Sequence, residues 1–117
     1  MSGTDASSMM TTTLAERKAA EAARRKHAAD EAVRELRRYA REHGGRFIVF
    51  GSYVTDTMRF DSDVDVLVDF PMDRTADAWR FVEDVCARHA VPLDIHDART
   101  TKAAFVERVC TTGLVLS

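Results

Sequence analysis

The chain has 117 residues, 45% of them apolar and 31% charged, and its formal net charge is −2. These values are ordinary for a soluble protein with one modest core, and the near-neutral charge predicts no direct binding to nucleic acid. No apolar run approaches the length of a membrane span. The two cysteines, Cys86 and Cys110, are expected to be reduced core thiols in a cytoplasmic protein.

The first element predicted along the chain is a long helix. Residues 1–12 are small and polar and are expected to form a disordered tail. Residues 13–43 contain no Gly or Pro and are rich in Ala, Glu and Arg, which favours a helix. Thr13 and Glu16 have the spacing of a capping box, and the two glycines after residue 43 end the helix.

The two halves of this helix differ in what they offer for packing. Val33, Leu36 and Tyr39 follow helical spacing and form an apolar stripe that faces the core. Residues 15–29 offer mainly alanine among basic side chains. Because alanine stripes bury little area, this half is interpreted as a solvated extension, with a partner-binding arm as the alternative.

A short apolar run at residues 47–50 is aromatic and β-branched, which is typical of a buried strand. Gly51 then allows the backbone to turn and to approach a ligand closely. Ser52 is a favoured N-cap, so a short helix is predicted over residues 52–58. The free N–H groups of a helix N-terminus suit a phosphate chain, so this turn is a candidate phosphate site.

Ten residues separate Ser52 from Asp63, where a second strand is predicted over residues 63–70. Asp63 and Asp65 would project from the same strand face, within about 7 Å of one another. Two neighbouring carboxylates repel each other, and a hard divalent cation such as Mg²⁺ removes that penalty. The sequence therefore places a candidate metal site beside a candidate phosphate site, an arrangement suited to phosphoryl or nucleotidyl transfer. The alternative is a solvated strand face with no ligand.

This arrangement resembles the signature of the nucleotidyltransferase superfamily related to DNA polymerase beta, and the small size resembles its minimal nucleotidyltransferase (MNT) branch. The resemblance covers roughly residues 30–117 and rests on Gly51-Ser52 and on Asp63-x-Asp65, which Ser62 precedes. It implies ATP as a substrate and Mg²⁺ or Mn²⁺ as a cofactor. It also implies one nucleotidyltransferase domain over 13–117, with its catalytic core at 46–117.

The fold expected is α/β, with a small mixed sheet of three or four strands, helices packed against it and a long N-terminal helix. After the second strand, a turn is predicted at residues 71–74 and a helix at 75–89, with Val82, Val85 and Cys86 on its apolar face. A third strand at residues 91–96, a helix at 100–110 and a trailing apolar tail at 114–116 complete the prediction.

A third candidate carboxylate lies on the predicted third strand, where Leu93 and Ile95 face one way and Asp94 the other. By the resemblance, Asp94 would ligate the metal near the acceptor and help to take the hydroxyl proton. Asp97, on the opposite face, is the weaker alternative, and Asp69 is interpreted as structural or peripheral. His96 could orient a ligand, but an ordinary strand-end histidine is the preferred interpretation.

One departure from the family pattern concerns the segment after Gly51-Ser52. Many members carry arginine and small residues there, whereas this chain has the residues Tyr-Val-Thr-Asp-Thr at positions 53–57. The only basic residue between Ser52 and Asp63 is Arg59. Arg59 and backbone N–H groups are therefore the candidates for triphosphate binding, and the alternative is that Arg59 pairs with Asp61 at the surface.

The core leaves no room for a separate substrate domain, so its acceptor is expected to bring its own recognition surface. The resembling MNT proteins often act as antitoxins of a HEPN-type ribonuclease toxin, which implies transfer of AMP from ATP to a tyrosine hydroxyl of that toxin. A rival interpretation is a non-catalytic binding module that neutralises its partner by contact. A transferase acting on a small molecule is a weaker third possibility.

Overall fold

The computed structural model describes residues 13–117, so the tail predicted at residues 1–12 lies outside the described residues. Within these residues, three helices and four strands follow one another. They are α1 (Leu14–His43), β1 (Arg46–Phe50), β2 (Val64–Asp69), α2 (Met72–Arg88), β3 (Leu93–Asp97), α3 (Ala103–Thr112) and β4 (Leu114–Leu116). Within residues 13–117, no helix combines the length and apolar composition needed to cross a bilayer.

Helix α1 begins and ends as its sequence predicts. The Thr13 hydroxyl accepts a hydrogen bond from the Glu16 backbone N–H, and the Glu16 carboxylate accepts one from the Thr13 backbone N–H. These reciprocal bonds satisfy N–H groups that the first turn would otherwise leave unpaired. At the other end Gly44 adopts a left-handed conformation with φ of 72° and closes the helix.

The strands form one mixed sheet in the order β3-β2-β1-β4. Strand β1 is antiparallel to both β2 and β4, whereas β2 and β3 are parallel. The connection from β2 to β3 passes through α2, because parallel neighbours require a crossover. The fold expected from the sequence, a small mixed sheet with helices and a long N-terminal helix, is confirmed.

The sheet has a larger and a smaller apolar face. Helices α1 and α2 cover the larger face, where Phe47, Val66 and Leu36 are fully buried. The smaller face is covered by α3, where Ile48 and Leu67 pack with Val109. Because side chains alternate along a strand, the residues of β2 that share parity with Leu67 lie on the α3 face.

The following details of the strands and of α2 differ from the sequence-based expectation. Residues 114–116 were expected to trail off, but they form β4, whose Leu116 is fully buried opposite Phe47. The turn predicted at residues 71–74 is the first turn of α2, where Asp73 complements the helix dipole. Strand β2 begins at Val64, so Asp63 precedes the strand.

Candidate active site

The pairing of β2 with β3 places two of the predicted carboxylates side by side. In this parallel pair Asp65 lies directly opposite Asp94. Paired residues project from the same face, so both side chains lie on the face that α3 covers. Asp65 is partly buried, whereas the Asp94 side chain is 56% exposed. The Asp65 carboxylate is therefore partly enclosed, whereas the Asp94 carboxylate is accessible to a ligand from solvent.

The environment of Asp65 disfavours its charged form. Burial, together with the neighbouring charges of Asp94 and Asp63 and a hydrogen bond with Asp94, raises the pKa of Asp65 to about 6, while His96 acts in the opposite direction. A carboxylate in this position is stabilised by a nearby cation. The electrostatic repulsion that the sequence predicts is therefore present in the fold.

Gly51 lies against this carboxylate, at the end of β1. Its φ is 79°, in the left-handed region that glycine adopts readily. A Cβ atom built at this position would overlap Asp65 Oδ2, so no other residue fits without displacing the carboxylate. The close backbone approach predicted at Gly51 is thus made to a carboxylate of the site.

The helix predicted over residues 52–58 does not form. A single 3₁₀ turn spans Gly51–Tyr53, and Ser52 lies inside this turn, so its predicted role as an N-cap is wrong. Backbone bonds from Val54 N–H and Thr55 N–H to the Gly51 carbonyl continue the turn. Asp56 then adopts a φ of 57°, which ends any right-handed helix.

Asp63 lies just outside β2, but hydrogen bonds fix the backbone on both of its sides. The Val64 N–H donates to the Pro92 carbonyl at 2.8 Å, which ties the start of β2 to the segment before β3. On the other side the Ser62 carbonyl accepts a hydrogen bond from Arg25 of α1 at 3.2 Å. The Asp63 side chain is exposed, yet its charge contributes to the raised pKa of Asp65.

Arg59 lies at the surface beside Asp61, which is the alternative that the sequence left open for it. Its side chain is 74% exposed, and its Nε lies 3.8 Å from Asp61 Oδ1. The Arg59 backbone N–H donates to the Ser62 hydroxyl at 2.8 Å, which closes the loop before Asp63. The nucleotide-binding role expected for this guanidinium remains a prediction.

The other candidates lie where their strand parity predicts. His96 Nε2 is 3.4 Å from Asp94 Oδ2, and the imidazole ring packs near Phe105. Asp97 lies on the opposite face, in a groove of about 600 Å³ beside α2. Asp69 Oδ2 lies 2.6 Å from Arg46 Nε, at the other end of β2 from Asp65, and its interpretation as structural or peripheral stays a prediction.

Sequence reasoning missed how α1 contacts the loop of the candidate site. Tyr53 Oη donates a 2.6 Å hydrogen bond to Asp30 Oδ1, and burial is the main cause that raises the pKa of Tyr53. The Lys26 ammonium lies 5.4 Å from the centre of the Tyr53 ring. The expectation of a solvated extension over residues 15–29 therefore holds only in part. Residues 14–20 are exposed, yet the Lys18 ammonium lies 4.8 Å from the centre of the Phe60 ring in the loop. Helical spacing indicated no such contact.

The donor set of the site suits a hard divalent cation. Asp63, Asp65 and Asp94 offer only carboxylate oxygens, the ligands that Mg²⁺ and Mn²⁺ prefer. Burial is the main cause that raises the pKa of Asp65, and the charges of Asp94 and Asp63 raise it further. Among residues 13–117, no three His, Cys, Asp or Glu side chains are already arranged to hold a metal ion. A cation at this position would therefore take ligands from water or substrate phosphates as well.

Comparison with known proteins gives the family of the chain and a solved structure with a similar fold. A family model described as a nucleotidyltransferase domain matches residues 29–110. A solved chain from a crystal structure of a toxin-antitoxin with AMP-PNP matches with a TM-score of 0.51 and 19% identity. The match covers 79% of this chain and 72% of that chain, and at this identity it shows the fold alone. No protein with curated annotation matches the sequence.

Proposed function

Because the chain belongs to the nucleotidyltransferase domain family, we propose that it is an MNT-type enzyme that transfers AMP from ATP to a tyrosine hydroxyl of a partner protein. The observation that carries this proposal is the pairing of Asp65 with Asp94 beside the backbone of Gly51. The proposed catalytic unit is a single domain over residues 13–117.

The reaction forms a bond between the acceptor oxygen and the α-phosphorus of ATP. The bond from this phosphorus to the bridging oxygen of the β-phosphate breaks, and pyrophosphate leaves. Asp94 accepts the proton of the tyrosine hydroxyl, for which its exposed side chain is accessible. Mg²⁺ or Mn²⁺, held by Asp63, Asp65 and Asp94, would supply charge neutralisation for the phosphates.

The remaining residues orient these groups. Gly51 allows the chain to pass close to Asp65, and the backbone of Gly51-Ser52 is the proposed binding surface for the triphosphate. The Arg59 side chain is proposed to rotate away from Asp61 and to bind the nucleotide phosphates. Its side chain is exposed, so this rotation meets no packing barrier. His96 Nε2 lies 3.4 Å from Asp94 Oδ2 and is proposed to orient this carboxylate.

We propose a HEPN-type ribonuclease toxin as the partner, by resemblance to the MNT antitoxins. The toxin-antitoxin neighbour supports a protein acceptor through its shared fold. Co-expression of this chain with its partner, followed by mass spectrometry, should reveal an added AMP on a partner tyrosine. A partner that the wild-type chain neutralises but that carries no added AMP would contradict the proposal.

A second candidate is neutralisation by contact without catalysis. The observation that favours it is the segment 53–57, which offers no basic side chain, while Arg59 pairs with Asp61. The variant with alanine at both Asp63 and Asp65 separates the two candidates. Neutralisation that persists in this variant supports binding by contact, and its loss supports transfer.

A further inference from the structure

The N-terminal half of α1 contacts the loop that precedes Asp63 through the largely shielded guanidinium of Arg25. The Arg25 side chain is only 15% exposed, whereas the side chain of the adjacent Arg24 is 58% exposed. Its Nη1 donates to the Ser62 carbonyl at 3.2 Å, across a separation of 37 residues in the chain. Its Nη2 donates to Glu21 Oε2 at 3.2 Å, and this second bond orients the guanidinium.

The loop that receives this contact is closed upon itself. The Ser62 N–H donates to the Arg59 carbonyl, and the Ser62 hydroxyl accepts from the Arg59 N–H. The Ser62 carbonyl is bound by Arg25, and the next residue is Asp63. Since Asp63 lies outside β2, the sheet alone does not hold it.

We propose that Arg25 is a positioning residue for nucleotidyl transfer. Through its bond to the Ser62 carbonyl, it holds Asp63 in place beside Asp65 and Asp94. Val64 N–H bonded to Pro92 fixes one side of Asp63, and Arg25 fixes the other. A hydrogen bond from a charged donor is stronger than a neutral one, and here it is shielded from water. The proposal rests on the proposed function, because it assigns a role relative to the metal ligands.

The chain contains a matched control for this residue. Arg24 also contacts Glu21, with its Nε at 2.9 Å, but its side chain is 58% exposed. Arg24→Met and Arg25→Met remove the same charge from adjacent positions on α1. They differ in the contact with Ser62, which only the second variant removes.

The affinity for Mn²⁺ in the presence of saturating ATP should be measured by isothermal titration calorimetry. Arg25→Met is expected to weaken Mn²⁺ binding about tenfold to a hundredfold, the range seen when groups that orient metal ligands are removed. Arg24→Met should remain within about twofold, since it leaves the loop intact. Arg25→Lys, which keeps a charged donor, should recover part of the loss.

A double-mutant cycle distinguishes positioning of Asp63 from general support of the fold. In an Asp63→Asn background, Arg25→Met should weaken Mn²⁺ binding little further, because the ligand that it positions is already lost. A full additional loss in that background would overturn the inference. If Arg25→Met does not fold, Arg25→Gln, which is too short to reach Ser62, takes its place in the cycle.

The failure of this inference differs from the failure of the proposed function. A wild-type chain that binds no Mn²⁺ with ATP contradicts the proposed function. A wild-type chain that binds Mn²⁺, with Arg25→Met and Arg24→Met behaving alike, overturns the role of Arg25 and leaves the proposed function standing.

Discussion

Asp65 and Asp94 lie directly opposite one another across the parallel strands β2 and β3, with the backbone of Gly51 against Asp65 Oδ2. The pair derives from strand register, which makes neighbours of residues 29 positions apart in the chain. Because like charges on neighbouring strands oppose each other, the pair disfavours two negative charges at once.

The first prediction concerns the cation. Mg²⁺ or Mn²⁺ with ATP should raise the Tm of the wild-type chain, since a ligand that binds only the folded state stabilises it. Changing both Asp63 and Asp65 to alanine should abolish the shift, as followed by thermal denaturation with and without metal and ATP. The Asp69→Ala variant, which alters the ion pair with Arg46, is the control and should retain the shift.

The second prediction concerns pH. The pKa of Asp65 rises from 3.8 to about 6 on folding, so between these values the folded chain holds a proton that the unfolded chain has released. This group therefore makes the metal-free protein less stable as pH rises through that window. Asp65→Asn should be more stable than the wild type at pH 8, and the difference should shrink at pH 4. Denaturant titrations at both pH values measure it, and an equal difference at both would contradict the raised pKa.

The third prediction separates Asp94 from Asp97. Asp94→Asn should retain most of the ATP-dependent stabilisation but reduce transfer by about 10²- to 10⁴-fold, as expected for loss of a general base. Asp97→Asn, on the opposite face, should transfer at the wild-type rate. Transfer can be followed by incorporation of labelled AMP into the partner. Normal transfer by Asp94→Asn would require another residue to take the proton.

The fourth prediction concerns the bond between Tyr53 and Asp30. Tyr53→Phe keeps the ring but removes the 2.6 Å hydrogen bond to the Asp30 carboxylate, so the free energy of unfolding should fall by about 2 kcal/mol. Urea denaturation measures this change. In Asp30→Asn the amide oxygen can still accept a hydrogen bond from the Tyr53 hydroxyl. This variant should therefore lose less free energy of unfolding than Tyr53→Phe. The opposite order would indicate that Asp30 matters mainly through Lys26, which lies 3.3 Å from it.

The fifth prediction concerns the boundary within α1. Deleting residues 1–16 should leave Tm and nucleotide-dependent stabilisation nearly unchanged, because residues 14–16 are exposed. Deleting residues 1–26 also removes Arg25 and should weaken both. If the shorter deletion weakened partner binding while Tm stayed constant, the exposed part of α1 would be a docking arm.

Local rules predicted the beginning and end of α1, the strand nature of residues 47–50 and the alternation that separates Asp94 from Asp97. Helix capping, helix termination at glycine and the two-residue alternation of a strand each depend on a few neighbouring residues. They can therefore be predicted directly from the sequence. The failure at Ser52 has a local cause as well. The left-handed Asp56 ends the turn before a helix can form, although a serine after glycine favours one.

The sequence by itself determined which chemical groups the candidate site offers. Gly51, Asp63 and Asp65 have a spacing in the chain that allows the turn and the strand to bring them close together. Only the tertiary structure decided that Asp94 meets Asp65, that residues 114–116 complete the sheet, and that Arg25 and Asp30 hold the loop from 51 to 63. Each of these depends on strand register or helix packing between distant segments. Such contacts are selected by burial of the whole core, for which no single stretch of the chain carries a signal.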